Sequence, residues 1–163
     1  MNSKRVDLPE GLGALLDLLP EDGSNFPVGS TIEPVRGRTL VKTRDWWKAI
    51  LPVKNQIRRE RYHQGNTIRA LIVDVKKETK GPQVILSRTD PNFLVKLFDL
   101  EVPEIYDGVV EIKGVARKAG ERSKIAVASS DPRVDAVGAC VGIKGSRVQG
   151  IVKELNNERI DII

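Results

Sequence analysis

The sequence predicts an α+β chain built of two small units in tandem, a five-stranded barrel followed by an αββααβ unit. Three observations predict it. Five short β-type runs fall between Val28 and Thr89, and from Pro91 the patterns read helix, strand, strand, helix, helix, strand. The last two helical patterns are hinged on four residues, Gly142-Ile143-Lys144-Gly145. A chain of 163 residues has room for one ordinary domain or two small ones. The expected division is an N-terminal arm over 1–27, the barrel over 28–89 and the αββααβ unit over 90–163.

In the arm, Leu12, Leu15, Leu16 and Leu19 form a short apolar face between Pro9 and Pro20. A helix this short is marginal alone, so the arm is expected either to pack on the body or to dock a partner. It also differs in charge. Lys4 and Arg5 stand against Asp7, Glu10, Asp17, Glu21 and Asp22, so residues 1–27 are net −3 and the rest of a +5 chain is net +8. An excess of that sign suits a polyanionic partner.

The β-type runs are Thr31–Arg36, Thr39–Lys42, Trp46–Leu51, Thr67–Lys76 and Gln83–Arg88, punctuated by Gly37 and by Lys80-Gly81-Pro82. The fourth run is apolar on both faces at its centre. Five short strands in so few residues point to a small closed barrel of the oligonucleotide-binding type, an OB fold. Between the third and fourth runs lies a basic loop, Gln56–Gly65, with Tyr62 inside it. Arg59 and Arg61 there, with one of Trp46 or Trp47, could meet phosphates and stack on bases. Adjacent tryptophans on a strand point to opposite faces, so one of the two is expected in the core.

Asp90 followed by Pro91 reads as a helix start, and the helix runs to about Leu100 with Phe93, Leu94, Leu97 and Phe98 on its buried face. Glu101–Gly108 reads as a turn region. Val109–Ala116 and Ser123–Ser129 read as strands joined by a basic connection, Arg117–Arg122. Asp131 is expected to cap the next helix, with Pro132 in its first turn and Val134, Val137, Gly138 and Val141 along one face. Val148, Ile151, Val152 and Leu155 repeat that spacing in the second helix. Asn156-Asn157 ends it, and Arg159–Ile163 reads as a strand.

A helix, a G-x-x-G hinge carrying a lysine and a second helix form the signature of a KH domain, and the αββααβ order is that of its prokaryotic type. The two glycines let the backbone turn sharply and approach a sugar-phosphate chain, while the head of the following helix favours negative charge. A nucleotide P-loop is excluded, because it needs G-x-x-x-x-G-K-[ST] and here Lys144 precedes Gly145.

Other chemistry finds little support. One Cys and one His cannot assemble a His/Cys metal cage, and no carboxylate cluster replaces it. His63 has no triad around it. Cys140 neighbours the apolar seam of the first KH helix and reads as a packed thiol. A lone cysteine, no secretory signal and no apolar run near the ~20 residues that span a bilayer point to a cytoplasmic chain away from the membrane. No cofactor, metal or catalytic activity is expected.

From Arg61 to Ile163 the sequence strongly resembles the NusA family of bacterial transcription elongation, termination and antitermination factors. The runs that carry the resemblance are ILSRTDPNFLVKLFDLEVPEI (85–105), VARKAGERSKIAV (115–127) and DPRVDAVGACVGIKGSRVQGIVKELNNERIDII (131–163). Gly29–Gly65 resembles more loosely the first part of that family's S-one-type OB-fold barrel, through AILPVKNQI. Residues 1–27 carry no resemblance, and RDWWK (44–48) is more basic and aromatic than the family's barrel strand. The family also has an N-terminal polymerase-binding domain and a second KH domain, and the sequence shows neither.

The resemblance implies a non-enzymatic module that holds single-stranded nascent RNA, with RNA polymerase or other transcription factors as further partners. The expected clamp is Gly142, Ile143, Lys144, Gly145, Ser146 and Arg147, with Arg122 and Lys124 as secondary contacts and Arg59, Arg61, Trp46 and Trp47 as the barrel's candidates. Two alternatives stand beside it. Phosphorolytic exoribonucleases carry the same two domain types, but with the KH domain first. A protein–protein scaffold would act through the Leu12–Leu19 arm.

Overall fold

The computed structural model describes residues 31–35, 38–42, 48–63, 68–75 and 84–163. The arm, Trp46, Trp47, Gly37 and the Lys80-Gly81-Pro82 turn lie outside them. The described residues form two compact units, one made of those up to Asn55 together with Tyr62–Ser87, the other of Gln56–Arg61 with Arg88–Ile163.

The first unit is a five-stranded sheet in the order β1-β2-β3-β5-β4, the strand order of an OB fold. The strands are β1 (Thr31–Val35), β2 (Arg38–Lys42), β3 (Lys48–Pro52), β4 (Leu71–Val75) and β5 (Val84–Ser87). β3 and β5 run parallel, with Ala49 beside Val84, and the other neighbours are antiparallel. Alternation explains the core: Ala49 and Leu51 of β3 and Val84 and Leu86 of β5 point inward, joined by Ala70 and flanked by Tyr62, Ile68 and Ile72. The fourth strand is shorter than the apolar run Thr67–Lys76 predicts. Residues 68–70 are not in strand, a register shift interrupts the ladder between Ile72 and Asp74, and Ile68, Ala70 and Ile72, all of one parity, are the residues of the run that meet the core. The Asn55 side-chain amide donates to the Leu86 carbonyl at 2.9 Å and ties the end of β3 to β5.

The second unit has α1 (Pro91–Glu101), α2 (Pro103–Tyr106), β6 (Val110–Lys118), β7 (Arg122–Ser129), α3 (Ala136–Val141), α4 (Ser146–Glu154) and β8 (Arg159–Ile162). Its sheet order is β6-β7-β8, with β7 and β8 parallel. α1 starts as its sequence requires: the Asp90 carboxylate accepts from the Asn92 N–H at 2.8 Å, Pro91 fills the first turn, and Phe93, Leu94, Leu97 and Phe98 are buried. Val110, Ile125, Cys140, Ile151 and Leu155 are the other buried apolar residues of β6, β7 and the later helices of this unit. Each large apolar side chain fully buried this way contributes ~1.5–3 kcal/mol.

Three expectations need correction. Glu101–Gly108 is not all turn, because Pro103 starts a one-turn helix, with Glu104 favourably placed at its positive end. The β6–β7 connection is three residues, not six, since Arg117 and Lys118 pair with Ser123 and Arg122 in the ladder. Asp131 does not cap α3, which begins at Ala136 with Val134 before it. The Asp131 carboxylate instead accepts from the Arg133 backbone N–H at 2.9 Å and pairs with the Arg133 guanidinium at 2.8 Å, which holds its carboxyl below the usual range. That local bond competes with the helix and turns the chain first.

One buried cluster joins most of these elements. Arg117 and Glu158, whose side chains are both fully buried, make a bidentate pair at 2.9 and 3.0 Å. Arg117 also donates to the Asp90 carbonyl at 2.8 Å, and Glu158 accepts from the Gly120 N–H at 2.8 Å and from the Ser123 hydroxyl. Arg88 makes a second cluster: it donates to both carboxylate oxygens of Glu60 at 2.6 and 2.7 Å, to the Glu154 carboxylate at 3.0 Å and to the Glu154 carbonyl at 2.7 Å. Both guanidiniums lie over the Phe93 ring, at 5.3 Å for Arg88 and 5.8 Å for Arg117. Gln56–Arg61 belongs to this unit for the same reason, and Ile57 seats against the hairpin tip, where a Cβ on Gly120 would come within 2.6 Å of its Cγ2.

Removing one partner of a buried pair leaves the other charge unpaired, so Arg117→Ala should cost about 3–5 kcal/mol by urea unfolding. Burial by itself raises the Glu158 carboxyl, but the bonds from Arg117, Ser123 and the Gly120 N–H outweigh it and hold the group below the ordinary glutamate value. A depressed folded value stabilises the protein above the unfolded value and is lost as pH falls through the folded one. The stability gap between wild type and Glu158→Gln should therefore be full at pH 7 and shrink below about pH 4.3. A gap independent of pH down to the acid limb would contradict the pairing.

Candidate nucleic-acid interface

Gly142–Gly145 forms a tight left-handed turn between α3 and α4. Gly142 has φ 76°, ψ 172°, and its N–H closes α3 on the Gly138 carbonyl at 2.9 Å. Lys144 and Gly145 follow in the left-handed region at φ 52° and 77°. The turn closes on itself through the Gly145 N–H to the Gly142 carbonyl at 3.0 Å and the Ser146 N–H to the Ile143 carbonyl. Ile143 is left 85% exposed at the tip. Lys144 is exposed beside it, with no acidic partner among the described residues. A left-handed conformation costs a lysine on the order of 1–2 kcal/mol that glycine would not pay. Here a cation is held in that strained position at the positive end of α4.

Arg147 is placed differently from its neighbours. Its guanidinium donates to the Glu104 carboxylate at 2.8 Å and to the Ala139 carbonyl at 2.6 Å, so it joins α4 to α2 and to the last turn of α3. Its own first carbons are what a Cβ on Gly142 would strike, at 2.7 Å from Cγ, with the Arg147 backbone N at 3.0 Å. Ser146 is exposed at the start of α4. Cys140 is the fully buried residue of α3. Its thiol is pushed up to about 11, by burial first and then by Glu104, against the opposing effect of Arg147, so the thiolate is scarce at neutral pH.

The remaining candidates are not at the loop. Arg122 and Lys124 alternate with the buried Ser123 and Ile125 and so occupy the outer face of the sheet. Arg122 is in register with Arg159, just beyond the C-terminal end of α4, while the G-x-x-G turn is at its N-terminal end. The nine residues of α4 put roughly 13 Å between those ends. Arg59 and Arg61 are exposed in Gln56–Arg61, within the second unit and around the anchored Glu60. Sequence reasoning missed Glu104 and Glu158, whose partners are 43 and up to 41 residues away, so no local signal marks them.

The αββααβ order, the parallel β7–β8 pair and the left-handed G-x-x-G turn at the head of α4 define a prokaryotic-type KH domain. Residues 88–163 match the family model described as the NusA-like first KH domain. The chain is 59% identical over 116 residues to the transcription termination/antitermination protein NusA of Halalkalibacterium halodurans, which covers 71% of this chain and 30% of that protein. It is 57% identical over 116 residues to the protein of that name from Bacillus subtilis, covering 71% and 31%. The Mycobacterium tuberculosis protein of that name is 47% identical over 131 residues, covering 78% and 38%. The chain thus spans about a third of the length of the curated relatives it matches.

The two glycines of the turn carry different burdens. Gly145 needs only its left-handed backbone, since a Cβ there meets nothing nearer than 3.9 Å. Gly142 needs both positive φ and clearance from Arg147. Gly145→Asn should cost well under about 1 kcal/mol, because asparagine tolerates the left-handed region. Gly142→Ala should cost clearly more than Gly145→Ala in thermal or urea unfolding. Equal costs would show that the approach to Arg147 relaxes freely.

Proposed function

We propose that this chain is an RNA-binding module of a NusA-like transcription factor, holding single-stranded nascent RNA in the cytoplasm to modulate elongation, termination or antitermination. The observation that carries the reading is the G-x-x-G turn: an unpaired, strained Lys144 and an exposed Ile143 at the positive end of α4, in a domain of the NusA-like KH family. The lysine supplies charge for a phosphate, Ile143 supplies an apolar contact, and the glycines leave room for the backbone of about four nucleotides. The relatives are transcription termination/antitermination proteins by name, which supports the transcriptional setting. Contact with RNA polymerase or another transcription factor belongs to the same reading. The module works by binding; no step of it calls for a catalytic group.

Within this reading Arg147 acts as a positioning residue. Its guanidinium already holds Glu104 and the Ala139 carbonyl, so it sets where the turn sits and leaves the phosphate to Lys144.

The test replaces Ile143 and Lys144 together by aspartate. Both are exposed and the glycines remain, so circular dichroism should be unchanged. Single-stranded RNA binding, followed by anisotropy across a salt series, should weaken. The slope of log affinity against log salt should become shallower by roughly 0.7, the value of one lost phosphate contact on a single strand. A folded variant with unchanged affinity and slope would take the clamp away from this turn.

A further inference from the structure

The outer face of the β6-β7-β8 sheet carries a row of cations that the G-x-x-G turn does not account for. Lys118, Arg122 and Arg159 are cross-strand partners on three adjacent strands: Lys118 pairs with Arg122 in the antiparallel ladder, and Arg122 with Arg159 in the parallel one. Lys124 follows Arg122 on the same face. All four are exposed, while the alternate residues Ser123 and Ile125 are buried on the side that the helices cover. Neighbouring strands are ~4.8 Å apart, so the row crosses roughly 10 Å of sheet.

Like charges placed directly opposite one another destabilise a sheet, and here three share one row. Among the described residues, two carboxylates form ion pairs with them. Glu121 pairs with Lys118 at 2.8 Å and Asp161 with Arg122 at 2.6 Å, both in exposed pairs of little net strength. Among the described residues Lys124 and Arg159 form no ion pair, although Lys124 stands opposite Asp161 in the parallel ladder while the Asp161 carboxylate is held by Arg122. Beyond the row the same face is floored by Gly114, Ala116 and Ala126, two of them exposed, so little stands between an extended chain and the cations.

We infer that this outer face is a second, sequence-independent phosphate track, which takes the backbone of a single-stranded RNA extending beyond the nucleotides held at the G-x-x-G turn. The inference rests on the RNA-binding reading above, but on different residues at the other end of α4. The weak pairs with Glu121 and Asp161 exchange for phosphate at small cost, and the unpaired Lys124 and Arg159 add contacts outright.

The test compares single-stranded RNAs of about four nucleotides, enough for a KH turn, and of about five times that length. It uses the whole chain and the exposed triple variant Lys118→Gln, Lys124→Gln, Arg159→Gln. The triple variant should bind the short RNA with unchanged affinity and the long RNA more weakly. Its long-RNA salt slope should fall by roughly 2, three contacts at about 0.7 each. An unchanged slope and affinity for the long RNA overturns the inference and leaves the turn untouched. Equal weakening for short and long RNA also overturns it, by merging the row with the turn. An equal slope loss on duplex DNA of the longer length would overturn it as general charge attraction. If the triple variant behaves as expected while the aspartate variant at 143 and 144 keeps full short-RNA binding, the track stands and the clamp falls.

Discussion

Two opposite charges cannot be taken out of water unless nearly every oxygen and N–H on them finds a partner, and in the second unit this requirement sets the positions of most elements. The Arg117–Glu158 pair draws its partners from the carbonyl that ends the turn before α1, the last residues of β6, the hairpin tip, the start of β7 and the turn after α4. Each ion brings a desolvation cost of several kcal/mol, which only this full set of bonds offsets. A shift of any one element by a residue would leave a buried charge short of a bond. The pair therefore contributes more to the uniqueness of the arrangement than to its stability.

The consequence for the candidate site runs along α4. At its C-terminal end, Arg88 bonds the Glu154 carbonyl and carboxylate, a cation where the helix dipole favours one. Glu158, just beyond, fixes where β8 begins. At its N-terminal end, Arg147 holds Glu104 and the Ala139 carbonyl. The G-x-x-G turn thus stands at the head of a helix pinned at both ends. Preorganisation of this kind lowers the ordering cost of binding, and it also explains how Lys144 is kept in a left-handed conformation that it would leave if the turn were loose.

Much of this was legible in the sequence. The order of a five-stranded unit and then an αββααβ unit, the α1 cap, the apolar faces of α1 and α4, the Asn156-Asn157 stop and the G-x-x-G hinge all rest on local patterns, and local patterns are what a sequence displays. Both asparagines are left-handed, as a helix stop there requires. Two failures were local competitions. Asp131 bonds Arg133 when it could have capped a helix, and Pro103 starts a helical turn inside a run that reads as loop. Other features depended on distance. Nothing local marks Arg117 or Arg88 as buried, because the residues that pair with them lie as many as 66 positions away. Arg147 looked like a phosphate ligand beside Lys144 because its spacing is right, and only Glu104 shows where its charge goes. The division of Arg122 and Lys124 from the turn likewise follows from strand alternation and the length of α4, which spacing along the chain does not show.

The buried Arg117–Glu158 cluster, bonded to so many elements at once, opens only when the whole domain does. The Gly120 amide reports on it directly, because its hydrogen is bonded to Glu158 Oε2 although it sits at the tip of a hairpin, where amides ordinarily exchange through local fraying. Native-state hydrogen exchange of that amide, followed through a series of low urea concentrations, separates the two cases. The opening free energy should equal that of global unfolding and fall with urea at the same slope. An opening free energy well below the global value and independent of urea would contradict it, by showing that the tip leaves Glu158 while the rest of the domain stays folded.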